Sequence, residues 1–571
     1  MATKKSTTNV DVGKRDLLKM TAATAASVAA VSVITTKKSQ AQPVPTILVQ
    51  PSPATTPWLE ALPVMPKKET VSTLSPTPAR TRVTGEVGRA AHQAWANFKP
   101  KKYYEVRIQE RDHSFHPELP KQKIWGYDGT FPGPTFHAKY GEPMLVRFRN
   151  ELPPNAAGPG SPEISVHLHN LHTPSESDGF PMDYFSPTKA GPGLTPGAFK
   201  DHHYPMVYAG LDTFGGIGDP REALGTMWYH DHRVEFTSPN VYRGLCGFFL
   251  AFDAIDSGNE NDTNPLALKL PSGEYDVPLV LNNVHFDAQG RLFFDQFGND
   301  GFIGDKTAIN GKILPYFNVA RRKYRFRFLD GSVARFYDLQ VRYKGFVQPL
   351  TYIANDGNLI QAPLNRSNVR IAPAERADVV VDFSRYPIGA ELFLVNRLIH
   401  EDGRQPKDGK FLEPPTPILK FVVDRNPPAP DVSRVPSILR LLPPVDLTEV
   451  VNTRHFDFDR SGGMWTINER LFDNTPQAAP RKGTAEIWVL KNQNDGWQHP
   501  VHIHFEEGRI LSRNGVPPPV HERGRKDVYV VGENEEVQVF IRFRDFLGKY
   551  VMHCHNLTHE DHGMMMRFDV V

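Results

Sequence analysis

The chain has 571 residues, and its 66 basic side chains nearly cancel its 64 acidic ones. That balance excludes the dense positive charge on which nucleic-acid or anionic-membrane binding relies, and leaves small molecules as the expected partners. Fifty-one Pro and 43 Gly, set between short Val, Ile, Phe and Tyr runs, exclude a helical bundle and predict an all-β fold rich in turns.

In chain order, residues 1–41 read as an export signal. Lys14-Arg15 precedes a mild Ala/Val/Thr-rich stretch, and Ser39-Gln40-Ala41 has the small-residue pattern of a cleavage site. The Lys-Arg pair and the modest hydrophobicity resemble a twin-arginine signal, which implies export of a folded protein. The stretch is too short and too polar to span a bilayer, and no membrane span is expected elsewhere. Residues 42–57 are Pro-, Ser- and Thr-rich and predict an extended tether. Trp58, Leu59 and Leu62 offer apolar anchors for a strap, whereas residues 67–98 are mostly polar and read as an insertion.

From Tyr103 the pattern becomes strands and turns. Residues 104–108 and 144–150 alternate apolar with polar, and Pro132-Gly133-Pro134 punctuates the interval. Residues 277–281, 324–329 and 377–382 continue the rhythm without a paired histidine, so this middle region reads as scaffold. Strands resume at 485–490 and 537–543 after the Pro-rich run 426–430. The reading is three β-sandwich domains, over residues 58–255, 256–431 and 432–571.

Four His-x-His pairs carry the chemistry: His167-Leu168-His169, His230-Asp231-His232, His502-Ile503-His504 and His553-Cys554-His555. Random placement of the 22 histidines gives roughly one such pair, so a shared cause is expected. On a strand each pair puts both imidazoles on one face. Eight convergent imidazoles exceed the four ligands of a zinc site and suit a cluster of metals. Cys554 points away from its two neighbours, and His499, three positions before His502, faces away from the third pair. Cys554, His499, His559 and Met564 therefore supply thiolate, two imidazoles and a weak axial thioether, the set suited to a copper that passes single electrons. With Cys554 spent on metal, the other cysteine, Cys246, is expected to be a buried unpaired thiol.

At these residues the chain resembles the multicopper oxidases, most of all the bacterial spore-coat laccase and bilirubin oxidase group. The carrying segments are residues 125–130, 166–169, 227–232, 496–504 and 553–564. The resemblance implies three cupredoxin-like Greek-key domains and four coppers. It assigns His499, Cys554, His559 and Met564 to a type 1 copper, and His167 and His502 to a type 2 copper. A type 3 pair falls to His169, His230, His232, His504, His553 and His555. Asp178 and Glu560 match positions near the trinuclear centre or its proton path, where a carboxylate relays the protons that oxygen reduction consumes. Asn170 stands where many relatives have Gly, and Arg233-Val234-Glu235 where small or apolar residues are usual. Both departures bear on access to the cluster.

The implied activity is one-electron oxidation of phenols, aromatic amines or bilirubin-like pigments coupled to reduction of O2 to water. Two rivals stand beside it. One keeps the coppers but takes electrons from Cu(I), Mn(II) or Fe(II); twelve Met without a Met-rich segment weigh against the cuprous case. The other is a non-enzymatic cupredoxin scaffold or copper store, which does not require a complete ligand set.

Overall fold

The computed structural model describes residues 50–571, so the stretch read as an export signal and the first part of the segment read as a tether lie outside the described residues. All seven stretches read as strands are strands. Residues 104–108 fall within Lys102–His113, 277–281 within Asp276–Val284, 324–329 within Lys323–Asp330 and 537–543 within Glu535–Phe543. Among the described residues the strands form six sheets that pack in pairs. In the first pair Val106 and Val146 of one sheet meet Phe136, Met227 and Phe249 of the other in one core. The second pair encloses Leu279, Phe326, Val379, Leu339, Leu392 and Phe421; the third encloses Phe456, Trp488, Val539, Val501, Met552 and Phe568. Each sheet buries one apolar face against its partner, which is the cupredoxin-like sandwich expected. No helix among the described residues is long and apolar enough to cross a membrane.

The strap docks through its apolar anchors as expected, whereas residues 67–98 are more closely packed than an insertion. The strap pairs with the second sandwich: Ala61 bridges Tyr316, Leu62 N donates to the Tyr316 carbonyl at 2.7 Å, and the Leu62 side chain enters that domain's core. Residues 67–98 are threaded along the first sandwich through bridges Lys67 to Thr135, Val71 to Tyr103 and Glu86 to Phe199, with Leu74 and Val87 buried. Their few apolar anchors are spaced without a period, so no pattern announces them. In the tether, Ser52 N donates to the Asp305 carboxylate at 2.8 Å and Thr56 N to Glu118 at 2.7 Å.

A further apolar cluster joins the sandwiches, with Phe115, Trp228 and Phe248 of the first, Val280 and Leu329 of the second, and Val528 and Leu557 of the third. Beside this junction, one sheet of the first sandwich and one of the third bring their histidine-bearing strands together.

Candidate metal centre

Two antiparallel ladders set the imidazoles. Val166–Leu168 pairs with Thr226–Asp231 so that His167 lies opposite His230. His499–Ile503 pairs with Gly548–Cys554 so that His502 lies opposite His553 and Val501 opposite Cys554. The second member of each pair, His169, His232, His504 or His555, stands one residue past its strand end. All eight side chains are buried, at 1 % exposure or less. Side-chain alternation on these ladders brings all eight histidines of the pairs together and sends Cys554 to the opposite face, as the sequence parity predicts.

The eight resolve into two trios and a pair. His232, His504 and His553 hold their Nε2 atoms 3.1, 3.2 and 3.3 Å apart. His169, His230 and His555 form a second trio, with His169 Nε2 3.1 Å from His230 Nε2. His167 Nε2 faces His502 Nε2 at 3.2 Å. Hydrogen bonds on the other ring nitrogens decide what these contacts are. His167 Nδ1 donates to the Asp178 carbonyl at 2.5 Å, His502 Nδ1 to the Asp527 carbonyl at 2.8 Å and His230 Nδ1 to the Asp231 carbonyl at 2.7 Å. His504 Nδ1 donates to the Asp178 carboxylate at 2.7 Å. His232 Nδ1 and His553 Nδ1 each stand 3.2 Å from a Glu560 oxygen. A backbone carbonyl cannot donate, so His167, His230 and His502 carry their protons on Nδ1, and the Nε2 lone pairs of His167 and His502 face each other.

Facing lone pairs at such distances repel unless a cation lies between them. Burial also lowers the pKa of His167, His169, His230, His232, His502, His504 and His555, His230 to about 3, which disfavours a proton in that role. Nitrogens on a triangle of edge 3.2 Å lie about 1.8 Å from its centre, a spacing matched to metal–imidazole bonds of about 2.0 Å. Both ring nitrogens of buried His555 lack a hydrogen-bond partner, and a cation held by the trio would satisfy one of them.

On the other face of the same strand, Cys554 Sγ lies 3.5 Å from His499 Nδ1 and 3.6 Å from His559 Nδ1, and the two nitrogens are 3.3 Å apart. Burial pushes the Cys554 thiol far up and holds His499 down at about 3, so a thiolate here requires a soft cation. His559 Nε2 donates to the Asp300 carbonyl at 3.1 Å, leaving Nδ1 free to ligate. After its strand the segment forms a short helix, Leu557–Asp561, capped by the Asn556 side chain accepting from Thr558 N. Successive helix residues diverge by about 100°, so His559 faces Cys554 while Glu560 faces His232 and His553. Met564 is fully buried, with its backbone bonded to His559 and Cys554. Met565 and Met566 are buried in the core, and Cys246 is a buried unpaired thiol.

Asp178 ends the turn Ser175–Asp178 and is fully buried; burial raises its pKa well above the carboxylate range. Gly179 follows with φ +91°, and a Cβ there would lie 2.2 Å from the Val166 carbonyl, so only glycine lets this turn press against the strand of His167. Burial works against charge on Glu560, but the two imidazole N–H groups outweigh it and hold its pKa low. Asn170 has φ +47°, a conformation Asn tolerates, and donates to the Ile503 and Glu506 carbonyls. Arg233 is buried between Tyr184 and Phe236.

Apart from Trp497, which lies in the carrying segment 496–504, several residues gave no signal in the sequence. Trp465 stacks on His559 with ring centroids 3.8 Å apart, and Trp497 meets Trp465 edge-on at 4.6 Å. Arg404 and Arg460 lie over the Trp497 ring and both pair with Asp300. Asp527 supports His502 and stands 3.5 Å from His169 Nδ1. Each is a single residue at no diagnostic spacing.

The chain matches the multicopper oxidase family over residues 108–198 and 444–571. It is 36% identical to the bilirubin oxidase of Albifimbria verrucaria, over 82% of this chain and 76% of that protein. It is 32% identical to the laccase of Bacillus subtilis, over 83% and 95% respectively. Among solved structures it shares its fold with the McoA multicopper oxidase of Aquifex aeolicus, at a TM-score of 0.67 and 24% identity over 83% of this chain and 97% of that one. A laccase from Pediococcus acidilactici superimposes at 0.69 and 24% identity, over 92% and 95%. Two histidine trios, a cysteine-centred triad and relatives spanning nearly the whole described chain lead to one conclusion: this protein belongs to the multicopper oxidase family and is a laccase-like, copper-dependent oxidoreductase.

Proposed function

We propose that the chain oxidises phenolic, aromatic amine or bilirubin-like donors one electron at a time and reduces O2 to water, using four coppers. His499, Cys554, His559 and Met564 would hold the type 1 ion and His167 and His502 the type 2 ion. His169, His230 and His555 would hold one type 3 ion, and His232, His504 and His553 the other. Bound copper supplies the electron transfer and the oxygen chemistry. The protein orients the imidazoles, excludes water and joins the two centres covalently through Cys554 to His553 and His555. Asp178, whose pKa burial raises, and Glu560, 3.2 Å from the Nδ1 atoms of His232 and His553, are placed to pass protons at their carboxylate oxygens.

The observation that carries this reading is the set of converging buried imidazoles lying one covalent residue from the His499, Cys554, His559 triad. The aromatic donor class is supported by Trp465 and Trp497 over His559, and by an open cleft of about 770 Å³ flanking Trp497 through Gly496, Gln498 and Arg404. Copper quantification with a visible spectrum tests the centres: four ions per chain and a blue band are expected, and a count well under four without the band overturns the assignment. Oxygen consumption driven in parallel by a phenol, bilirubin, Cu(I), Mn(II) and Fe(II) tests the donor. Turnover of a metal ion with none of any phenol or pigment would sink the laccase reading. The pattern over residues 1–41 supports an exported, periplasmic or extracellular enzyme, which N-terminal sequencing of secreted material checks.

A further inference from the structure

The second sandwich supplies no histidine to either centre, yet one of its side chains stands where the ligand-bearing strands of the other two meet. Arg376 begins the strand Arg376–Asp382 and is 1% exposed. Its Nη1 and Nη2 each donate to the Asp527 carboxylate at 2.6 Å. Nη1 also donates to the Ala374 carbonyl at 3.0 Å, Nη2 to the Asp356 carbonyl at 3.0 Å and Nε to the Thr226 carbonyl at 3.2 Å. All five guanidinium protons are therefore used, in the planar geometry that lysine cannot reproduce.

Two of those acceptors lead to the histidines. Asp527 belongs to the third sandwich; its carbonyl accepts from His502 Nδ1 at 2.8 Å and its carboxylate lies 3.5 Å from His169 Nδ1. Thr226 belongs to the first sandwich and opens the strand Thr226–Asp231 that carries His230. One cation from the ligand-free domain thus grips the supports of His169, His502 and His230.

The grip matters because every group of the cluster mixes domains. His232 of the first sandwich meets His504 and His553 of the third, His169 and His230 meet His555, and His167 meets His502. A slide of one sandwich past the other by a fraction of an ångström opens all three at once. The apolar cluster at the junction favours contact without direction. A bidentate charge-assisted pair supplies direction.

We propose that Arg376, acting through Asp527 and Thr226, is a positioning residue that sets the separation between the first-sandwich and third-sandwich histidines of the trinuclear centre. This rests on the assignment of those eight histidines to copper.

The test is Arg376→Lys in the copper-loaded enzyme. Copper per chain, the blue band, the type 2 electron paramagnetic resonance signal and the thermal midpoint are each read. Arg147→Lys is the comparison, because Arg147 makes an equally buried fork with Asp201, at 2.7 and 2.8 Å, and touches no candidate ligand or its support. Arg376→Lys is expected to keep the blue band, whose ligands all lie in the third sandwich, and to bind type 2 copper about 10- to 100-fold more weakly, with an altered signal. Arg147→Lys is expected to lower the thermal midpoint and keep every copper. Asp527→Asn preserves side-chain volume and the carbonyl to His502, and gives the same reading if Arg376→Lys does not fold. Full copper with an unaltered type 2 signal in the folded variant overturns the proposal, as does equal copper loss in Arg147→Lys. Wild-type protein that takes copper only at the cysteine site overturns instead the assignment of the cluster.

Discussion

Cys554 shows how one residue serves two centres. Its sulfur completes a triad with His499 and His559, while its backbone neighbours His553 and His555 turn to the opposite face, into different trios. Replacing it with serine is expected to abolish the blue band and remove one copper per chain, while the histidine trios keep theirs; a blue band surviving in Cys554→Ser refutes the assignment. Glu560 and Asp178 act at the same scale. Glu560→Gln keeps the shape but not the negative charge that accepts a proton, and Asp178→Asn removes a proton carrier. Each is expected to slow reoxidation of the reduced enzyme by O2 about 10²- to 10⁴-fold with the blue band intact, measured by stopped-flow absorbance.

Two short helices do work that their length conceals. Leu557–Asp561 aims His559 and Glu560 at different centres, and its start depends on Asn556, whose amide also donates to the Asp300 and Gly403 carbonyls. Asn556→Ala is expected to cost about 0.5–2 kcal/mol of stability in denaturant unfolding and to shift the blue band as His559 loses its hold. Ser175–Asp178 is pressed against the His167 strand through Gly179, so Gly179→Ala combines a left-handed strain with a backbone clash. Among strands, Lys323–Asp330 alternates Arg with Phe as a solvent-facing strand would. Arg325 and Arg327 are nevertheless buried, paired with Asp256, Asp378 and Asp276, because that face meets the first sandwich and not water.

At the scale of the whole molecule, the buried histidines tie stability to pH. His230 and His499 fall from an ordinary value of 6.5 to about 3 on folding. The unfolded chain therefore binds protons below pH 6.5 that the folded, metal-free chain refuses. Their stability contribution is complete above pH 6.5 and is lost as pH falls toward about 3, at up to about 1.4 kcal/mol per histidine per unit. Metal-free protein is expected to unfold at clearly lower denaturant at pH 5.5 than at pH 7.5. A flat profile over that interval would mean these imidazoles are not buried neutral.

The strand pattern, the sandwich class, the face on which each histidine lies and the pairing of Cys554 with His499 and His559 were all readable in the sequence. All but the approach of His559, which a short helix aims, follow from the two-residue period of a strand, a local property that every residue in it records. Which histidines share a trio, the stacking of Trp465 on His559, the burial of Arg325 and Arg327 and the place of Asp527 and Arg376 between three domains were decided only by the tertiary structure. Those contacts join positions tens to hundreds of residues apart, and each uses one residue at no repeated spacing. The sequence by itself carried the candidate ligands and the strand faces of the paired histidines; the packing of three sandwiches decided how closely they meet, because domain-to-domain distance is set by surfaces that leave no periodic trace in the chain.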